Sequence, residues 1–224
     1  MNYTIHFNLV WKYVPDLLQG AVLSFQIALL AFLGGMIIGL VGASIKIFGG
    51  RVSRGIVQAY VSFFMNTPQL VQIFFFFFAL PQAGLLLSPY QAVLVGMTLN
   101  AGAYLTEIQR AGFLSVHKAE LEAADTLGMS LTQTIWYVIF PHICKVLFPP
   151  LSNHYIIMTL GTSMAAIFGV EELTGRAFNI NAVTFRSIEV FILTAGIYVG
   201  ITILASLILM FSGRWLFRIK GKVF

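Results

Sequence analysis

Charge is what this sequence has least of: 9% of its 224 residues are Asp, Glu, Lys or Arg, against roughly 25% in an average soluble domain. Reactive side chains are scarce too, with 4 histidines and a single cysteine, Cys144. One cysteine excludes an internal disulfide and leaves the redox compartment open. No Walker loop, Gly-x-Ser-x-Gly elbow or His-Glu-x-x-His pair occurs, so neither an ATP site nor a hydrolytic centre is expected in the chain itself. The first sixteen residues carry Lys12 and Asp16 and no short apolar core, so no secretory signal is expected. Hydrocarbon fills the space instead: 58% of residues are hydrophobic and the mean hydropathy is +0.89. This is the composition of an integral membrane protein.

Four uncharged runs carry the architecture, bounded by Asp16 and Lys46, Arg54 and Glu107, Lys145 and Glu171, and Glu189 and Arg214. A helix crosses the hydrocarbon in about 20 residues, so three runs hold one span each and the longer second run holds two. Pro81-Gln82-Ala83-Gly84 and Ser88-Pro89 supply the reversal inside it. No run alternates like a barrel strand, and backbone groups in lipid must pair internally. An all-α membrane protein follows, with five spans near residues 20–43, 57–80, 90–112, 147–169 and 189–212. Lys46, Arg51, Arg54, Arg110, Lys118, Lys145, Arg214, Arg218, Lys220 and Lys222 fall on one side, and only Lys12, Arg176 and Arg186 on the other. The positive-inside rule then places the C-terminus and the 111–145 loop in the cytoplasm and the N-terminus outside. The net charge of +5 is explained by this topology and not by nucleic acid, since the cations flank apolar spans.

The expected organisation is one transmembrane domain over 1–224. It comprises an N-terminal segment (1–17), three spans (18–113), a cytoplasmic loop (114–141), and two spans with a tail (142–224). Phe7, Val10, Trp11 and Val14 have the spacing of one helical face, so the first segment either lies in the outer interface or is a tail before the first span. A loop as long as 114–141 is uncommon without structure of its own. A helix over 118–127 places Ala123 and Ala124 for close approach, and Gly128 ends it with a left-handed backbone. Ser130 and Gln133 form a capping-box pattern that starts a second helix, through Trp136 to Pro141. Such a helix–glycine–helix unit is a docking element.

Polar groups inside spans are costly and point to function. They are Asn66, Thr67 and Gln72 in the second span, Asn100 and Tyr104 one turn apart in the third, and Thr159, Thr162 and Ser163 in the fourth. Gly161 marks a place where the fourth helix can unwind. Against this stands the structural role of such groups as helix-to-helix glue, which is equally common. Glu107 and Arg110 read as an interfacial ion pair, His142 and Cys144 as packing, and the run Phe74 to Phe78 as a span apolar on all faces. Gly35-x-x-x-Gly39 and Gly196-x-x-x-Gly200 permit close helix contact but are frequent by chance.

Glu122-Ala123-Ala124, Gly128 four residues beyond, and the ending at Pro141 resemble the EAA loop of permease subunits of bacterial ABC importers. Thr67-Pro68 with Leu70-Val71-Gln72, Ala103 to Ile108, Pro149 to Asn153, Gly169 to Thr174, and Thr184-Phe185-Arg186 resemble the polar amino-acid branch, the histidine, glutamine, arginine and glutamate permeases. The resemblance implies a multi-pass subunit of the bacterial cytoplasmic membrane that forms half of a pathway. It also implies a second permease subunit, two ATP-binding subunits that carry the ATP and magnesium, and an external substrate-binding protein. By the same likeness Glu122, Ala123, Ala124, Gly128 and Pro141 belong to the segment that couples ATP hydrolysis to transport. This sequence departs from the branch at Asn66, where Arg-Gly is usual, and at Leu160-Gly161, where many members have Lys-Asp. Both departures remove charge, so a non-identical partner permease is expected to supply the charged contacts. A secondary transporter is the alternative, and an intramembrane enzyme a more remote one. The five spans show no inverted halves and no carboxylate chain, and of the four histidines His154 alone is placed to enter a span.

Overall fold

Long apolar runs with few breakers fold as helix wherever carbonyl and N–H groups have only each other to bond. The computed structural model describes residues 3–217, and every regular element among them is helical. The α-helices are α1 (Val14–Phe48), α2 (Arg51–Met65), α3 (Gln69–Phe74), α4 (Pro89–Phe113), α5 (Lys118–Thr126), α6 (Leu131–Thr134), α7 (Phe140–Gly161), α8 (Leu173–Thr184) and α9 (Ser187–Phe217). Single π turns follow α3 (Phe75–Ala79) and α6 (Ile135–Ile139), and α7 tightens into a 3-10 helix over Thr162–Phe168.

Three helical runs are long and apolar enough to cross a membrane: Phe7–Phe48, Leu131–Phe168 and Ser187–Trp215. A fourth is bent. The segment expected to span straight from 57 to 80 is instead α2 and the run Gln69–Ala83, meeting at 104°. Pro68 is the reason, because the residue before a proline is pushed out of the helical region. Asn66 then caps α2 with its backbone N–H on the Ser62 carbonyl. α4 has the length to span, about 37 Å at 1.5 Å per residue, but Asn100, Thr106, Glu107 and Gln109 lower its apolarity. Its start is doubly fixed, by Pro89 in its first turn and by reciprocal Ser88–Gln91 bonds (2.9 and 3.3 Å).

The chain forms two compact units. One gathers residues up to Leu33, Thr67–Thr98 and Tyr155–Ala205. Its core joins Val10, Leu17 and Ala21 to Leu173, Ala177, Ile180 and Val190. Val10 thus parts from the face expected for the N-terminal segment: it is buried while Phe7 and Trp11 are exposed, because two 3-10 turns replace the α-helical spacing. Beside this core the buried Glu172 carboxylate caps α8 through the Gly175 N–H (3.0 Å) and accepts from Ser24 of α1 (2.8 Å) and Tyr198 of α9 (2.9 Å).

The other unit gathers Gly34–Asn66, Leu99–His154 and the chain from Ser206. Here Gly35, Gly39 and Gly42 lay α1 against Ala101, Leu105 and Thr106 of α4, and a Cβ on Gly42 would stand 2.4 Å from Thr106 Oγ1. The first GxxxG match is therefore a packing stripe, whereas Gly196 and Gly200 meet nothing within 4 Å. Glu107 pairs with Arg110 (2.8 Å) and also with Lys46, whose ammonium donates to Gln58 (2.6 Å). Arg218, Lys220 and Lys222, counted among the inner cations, lie outside the described residues.

Candidate functional site

The loop after α4 is built from two caps laid end to end. α5 ends in a Schellman arrangement: Met129 N–H donates to the Ala124 carbonyl (3.1 Å) and Gly128 N–H to the Asp125 carbonyl (2.9 Å). Gly128 has φ of +68°, the left-handed conformation a side chain resists. Two residues later the capping box forms as expected, with Ser130 N–H on Gln133 Oε1 (2.8 Å) and Gln133 N–H on Ser130 Oγ (3.4 Å). The turn between the helices is therefore fixed by bonds from both sides.

Ala123 and Ala124 divide their work. Ala124 is 2% exposed, while Glu122 and Ala123 face outward. Leu127, Leu131, Trp136 and Tyr137 are exposed as well, so the unit presents large apolar side chains away from its own packing. Pro141 does not end a helix, contrary to expectation. The helical run continues from Leu131 to Phe168, with Pro141 in the first turn of α7 and the π turn just before it. His142, read from sequence as packing, pins the unit: its Nε2 lies 3.1 Å from Ser115 Oγ and its Nδ1 3.3 Å from Glu120 of α5.

The eight polar span residues fall in both units. In the first, Gln72 is buried and donates to the Thr67 carbonyl (3.1 Å) and hydroxyl (2.7 Å). Thr159, Thr162 and Ser163 donate to carbonyls three or four residues back, at 2.7 to 2.9 Å. These last bonds sit where α7 gives way to the 3-10 helix after Gly161, the position read as a point of unwinding. In the second unit Asn66 donates to the Ser62 carbonyl (2.7 Å). Asn100 donates to the Phe64 carbonyl (3.1 Å), and Tyr60 returns a bond to the Leu99 carbonyl (2.6 Å), so α2 and α4 are tied where α2 stops. Tyr104, one turn from Asn100, holds its ring 5.5 Å from that of His154.

The sequence places His154 in a span, although it was not counted among the candidate site residues. Its Nε2 is buried and finds no hydrogen-bond partner among the described residues, and the same is true of the Tyr155 hydroxyl in the other unit. A buried polar atom left open is a signal of a ligand or a water. The sequence signal was available, since a lone histidine inside an apolar run is itself costly.

Residues 31–219 match the family described as the binding-protein-dependent transport system inner membrane component. The glutamine transport system permease protein GlnP of Escherichia coli (strain K12) is 38% identical over 202 residues, covering 89% of this chain and 92% of that protein. The L-cystine transport system permease protein TcyB of Bacillus subtilis (strain 168) is 37% identical over 209 residues, covering 93% and 89%. Among solved structures, an amino acid ABC transporter with histidines superposes with a TM-score of 0.87 at 31% identity, over 95% of this chain and 99% of that one. A fold of bent and capped apolar helices, a twice-capped loop of Glu-Ala-Ala sequence and this likeness over nearly the whole length lead to one conclusion: the chain belongs to the binding-protein-dependent transport system inner membrane components and is a multi-pass inner-membrane permease.

Proposed function

We propose that this permease carries a polar amino acid, received from an external binding protein, through a pathway shared with a second, non-identical permease subunit and driven by two ATP-binding subunits. The relatives named for glutamine and cystine support the substrate class. Five spans, with the N-terminus outside and the C-terminus inside, accord with the chain passing between its two compact units five times. Each passage, after Leu33, Asn66, Thr98, His154 and Ala205, falls inside one of the five expected spans.

The observation that carries the mechanism is the loop held by the Gly128 turn, the Ser130 capping box and the His142 pin. A lever must be stiff within itself and exposed at its tip, because coupling is transmitted between discrete packed states and lost in a soft joint. Glu122, Ala123, Ala124, Gly128 and Pro141 belong to that lever, and the ATP-binding subunit docks on its exposed side. Asn66, Thr67, Gln72, Asn100, Tyr104, Thr159, Thr162 and Ser163 line or shape the pathway, joined by His154. The partner permease supplies the charges that Asn66 and Leu160-Gly161 lack.

The test is a Gly128→Val variant in the whole complex. A β-branched residue is a genuine outlier at positive φ, so the turn shifts. The nucleotide-binding chain should still co-purify, while amino-acid-stimulated ATP hydrolysis and uptake into vesicles fall at least tenfold, roughly 1.4 kcal/mol of lost coupling. Full uptake at normal assembly would overturn the lever.

A further inference from the structure

Within the second unit, α1, α4, the π turn and the start of α7 border an open-sided cavity of about 440 Å³. Ile37, Leu40, Phe113, Ile139, Cys144 and Leu147 form its walls. Gln109 is the polar side chain on the lining, and its Nε2 is already committed to the Met36 carbonyl (3.1 Å) and Sδ (3.4 Å). A water occupies roughly 30 Å³ and needs two to four polar partners, so this space is many waters wide and offers them almost nothing. Ile37 is 68% exposed, and Leu40 and Phe140 are exposed as well, so the cavity opens at an apolar rim.

Cations adjoin the lining residues in the chain. Arg110 follows Gln109 and Lys145 follows Cys144 directly in the chain, and Lys46 lies within two turns of Leu40. Glu107 offsets one charge of the three through its pairs with Lys46 and Arg110, leaving these four groups with a net positive charge.

We propose that the cavity is a lipid site, holding an acyl chain of an anionic phospholipid whose headgroup lies toward Arg110 and Lys145. The tail packs on Ile135 and Ile139, the two ends of the π turn. The site rests on the chain being a membrane permease and not on the substrate or the coupling proposed above.

The complex is reconstituted in phosphatidylethanolamine vesicles containing a trace of phosphatidylglycerol with a diazirine midway along one acyl chain, irradiated, and mapped by peptide mass spectrometry. Adducts are expected on Ile139, Cys144 or Leu147, in addition to outward residues of α9 such as Ile203 and Leu204, which any lipid reaches. Cys144→Phe fills the cavity and should reduce the first set several-fold while sparing the second; Ile139→Phe fills it from the π turn if Cys144→Phe fails to assemble. Labelling confined to α9, cavity labelling undiminished by filling, or a cross-link from the cavity to another protein chain would overturn the site. Equal cavity labelling by a phosphatidylcholine probe would overturn its preference for anionic lipid. Transport and coupling enter none of these readouts.

Discussion

Glu172 is fully buried, and its two oxygens accept from Gly175 N–H, Ser24 and Tyr198 at 2.8 to 3.0 Å. Burial pushes its carboxyl above the ordinary carboxylate range, with the bonds from Ser24, the backbone and Tyr198 opposing that shift only in part. The folded chain therefore holds this proton more tightly than the unfolded chain does. Its contribution to stability is complete below the ordinary carboxylate range and is lost as pH rises through the folded value. Apparent thermal unfolding of the purified complex should accordingly decline across that window. In Glu172→Gln the decline should be shallower, on top of a uniform loss of about 1–3 kcal/mol for the imperfectly matched amide. Parallel pH profiles for the two proteins would show that the carboxyl is not the titrating group. At the same scale, Gly128 and the Ser130–Gln133 box were legible from sequence because each is a local rule, satisfied within four residues. Glu172 was not, since its partners on α1 and α9 are far away in the chain and nothing in the string Gly-Val-Glu-Glu-Leu-Thr says which carboxylate turns inward.

Prolines decide the elements, and they do so in two ways. Pro68 breaks the second span outright, a rule visible in the sequence but outweighed there by the length of the apolar run. Pro81 and Pro141 each come after a π turn at the same interval: Leu80 N–H bonds to Phe75, Phe140 N–H bonds to Ile135, and the next residue has no N–H to give. The helix widens ahead of the missing donor and then continues. That is why Pro141 reads as a stop in the sequence and is none in the structure. A π turn absorbs one extra residue, so the helices on its two sides keep the relative phase of a regular helix one residue shorter. Deleting the exposed Tyr137 removes that extra residue, so the turn should close toward regular α-helix while α5 and α6 keep their phase relative to α7. The expected outcome is normal insertion and assembly with amino-acid-stimulated ATP hydrolysis retained. A deletion mutant that assembles but no longer couples would mean that the wide turn itself, and not only the phase of the helices beside it, is needed for transmission.

For the whole molecule, three of the apolar runs between charges recur as helices long enough to span, the second run holds a bent pair instead of a straight span, and the all-helical class came from the lack of other ways to pair the backbone. Orientation is open to direct measurement. In a Cys144→Ala background, cysteines at the exposed positions Gln82 and Ala182 should react with an impermeant maleimide added outside, and one at Thr132 only after permeabilisation. Reversed labelling at any of the three would invert the charge-based topology.

The core that joins Val10, Leu17 and Ala21 to Leu173, Ala177, Ile180 and Val190 has a consequence for synthesis. Its two halves are separated by about 150 residues, which a ribosome adds at about 5–20 per second, so the first half waits on the order of ten seconds or more for the second. Throughout that interval Ser24 has no carboxylate to bond and Asp16 no Arg176, although both already sit in a membrane-bound helix. The first unit's core therefore closes late, and a ribosome that stalls before Leu173 leaves behind an inserted chain whose Val10, Leu17 and Ala21 still lack these partners, the form a membrane protease would meet.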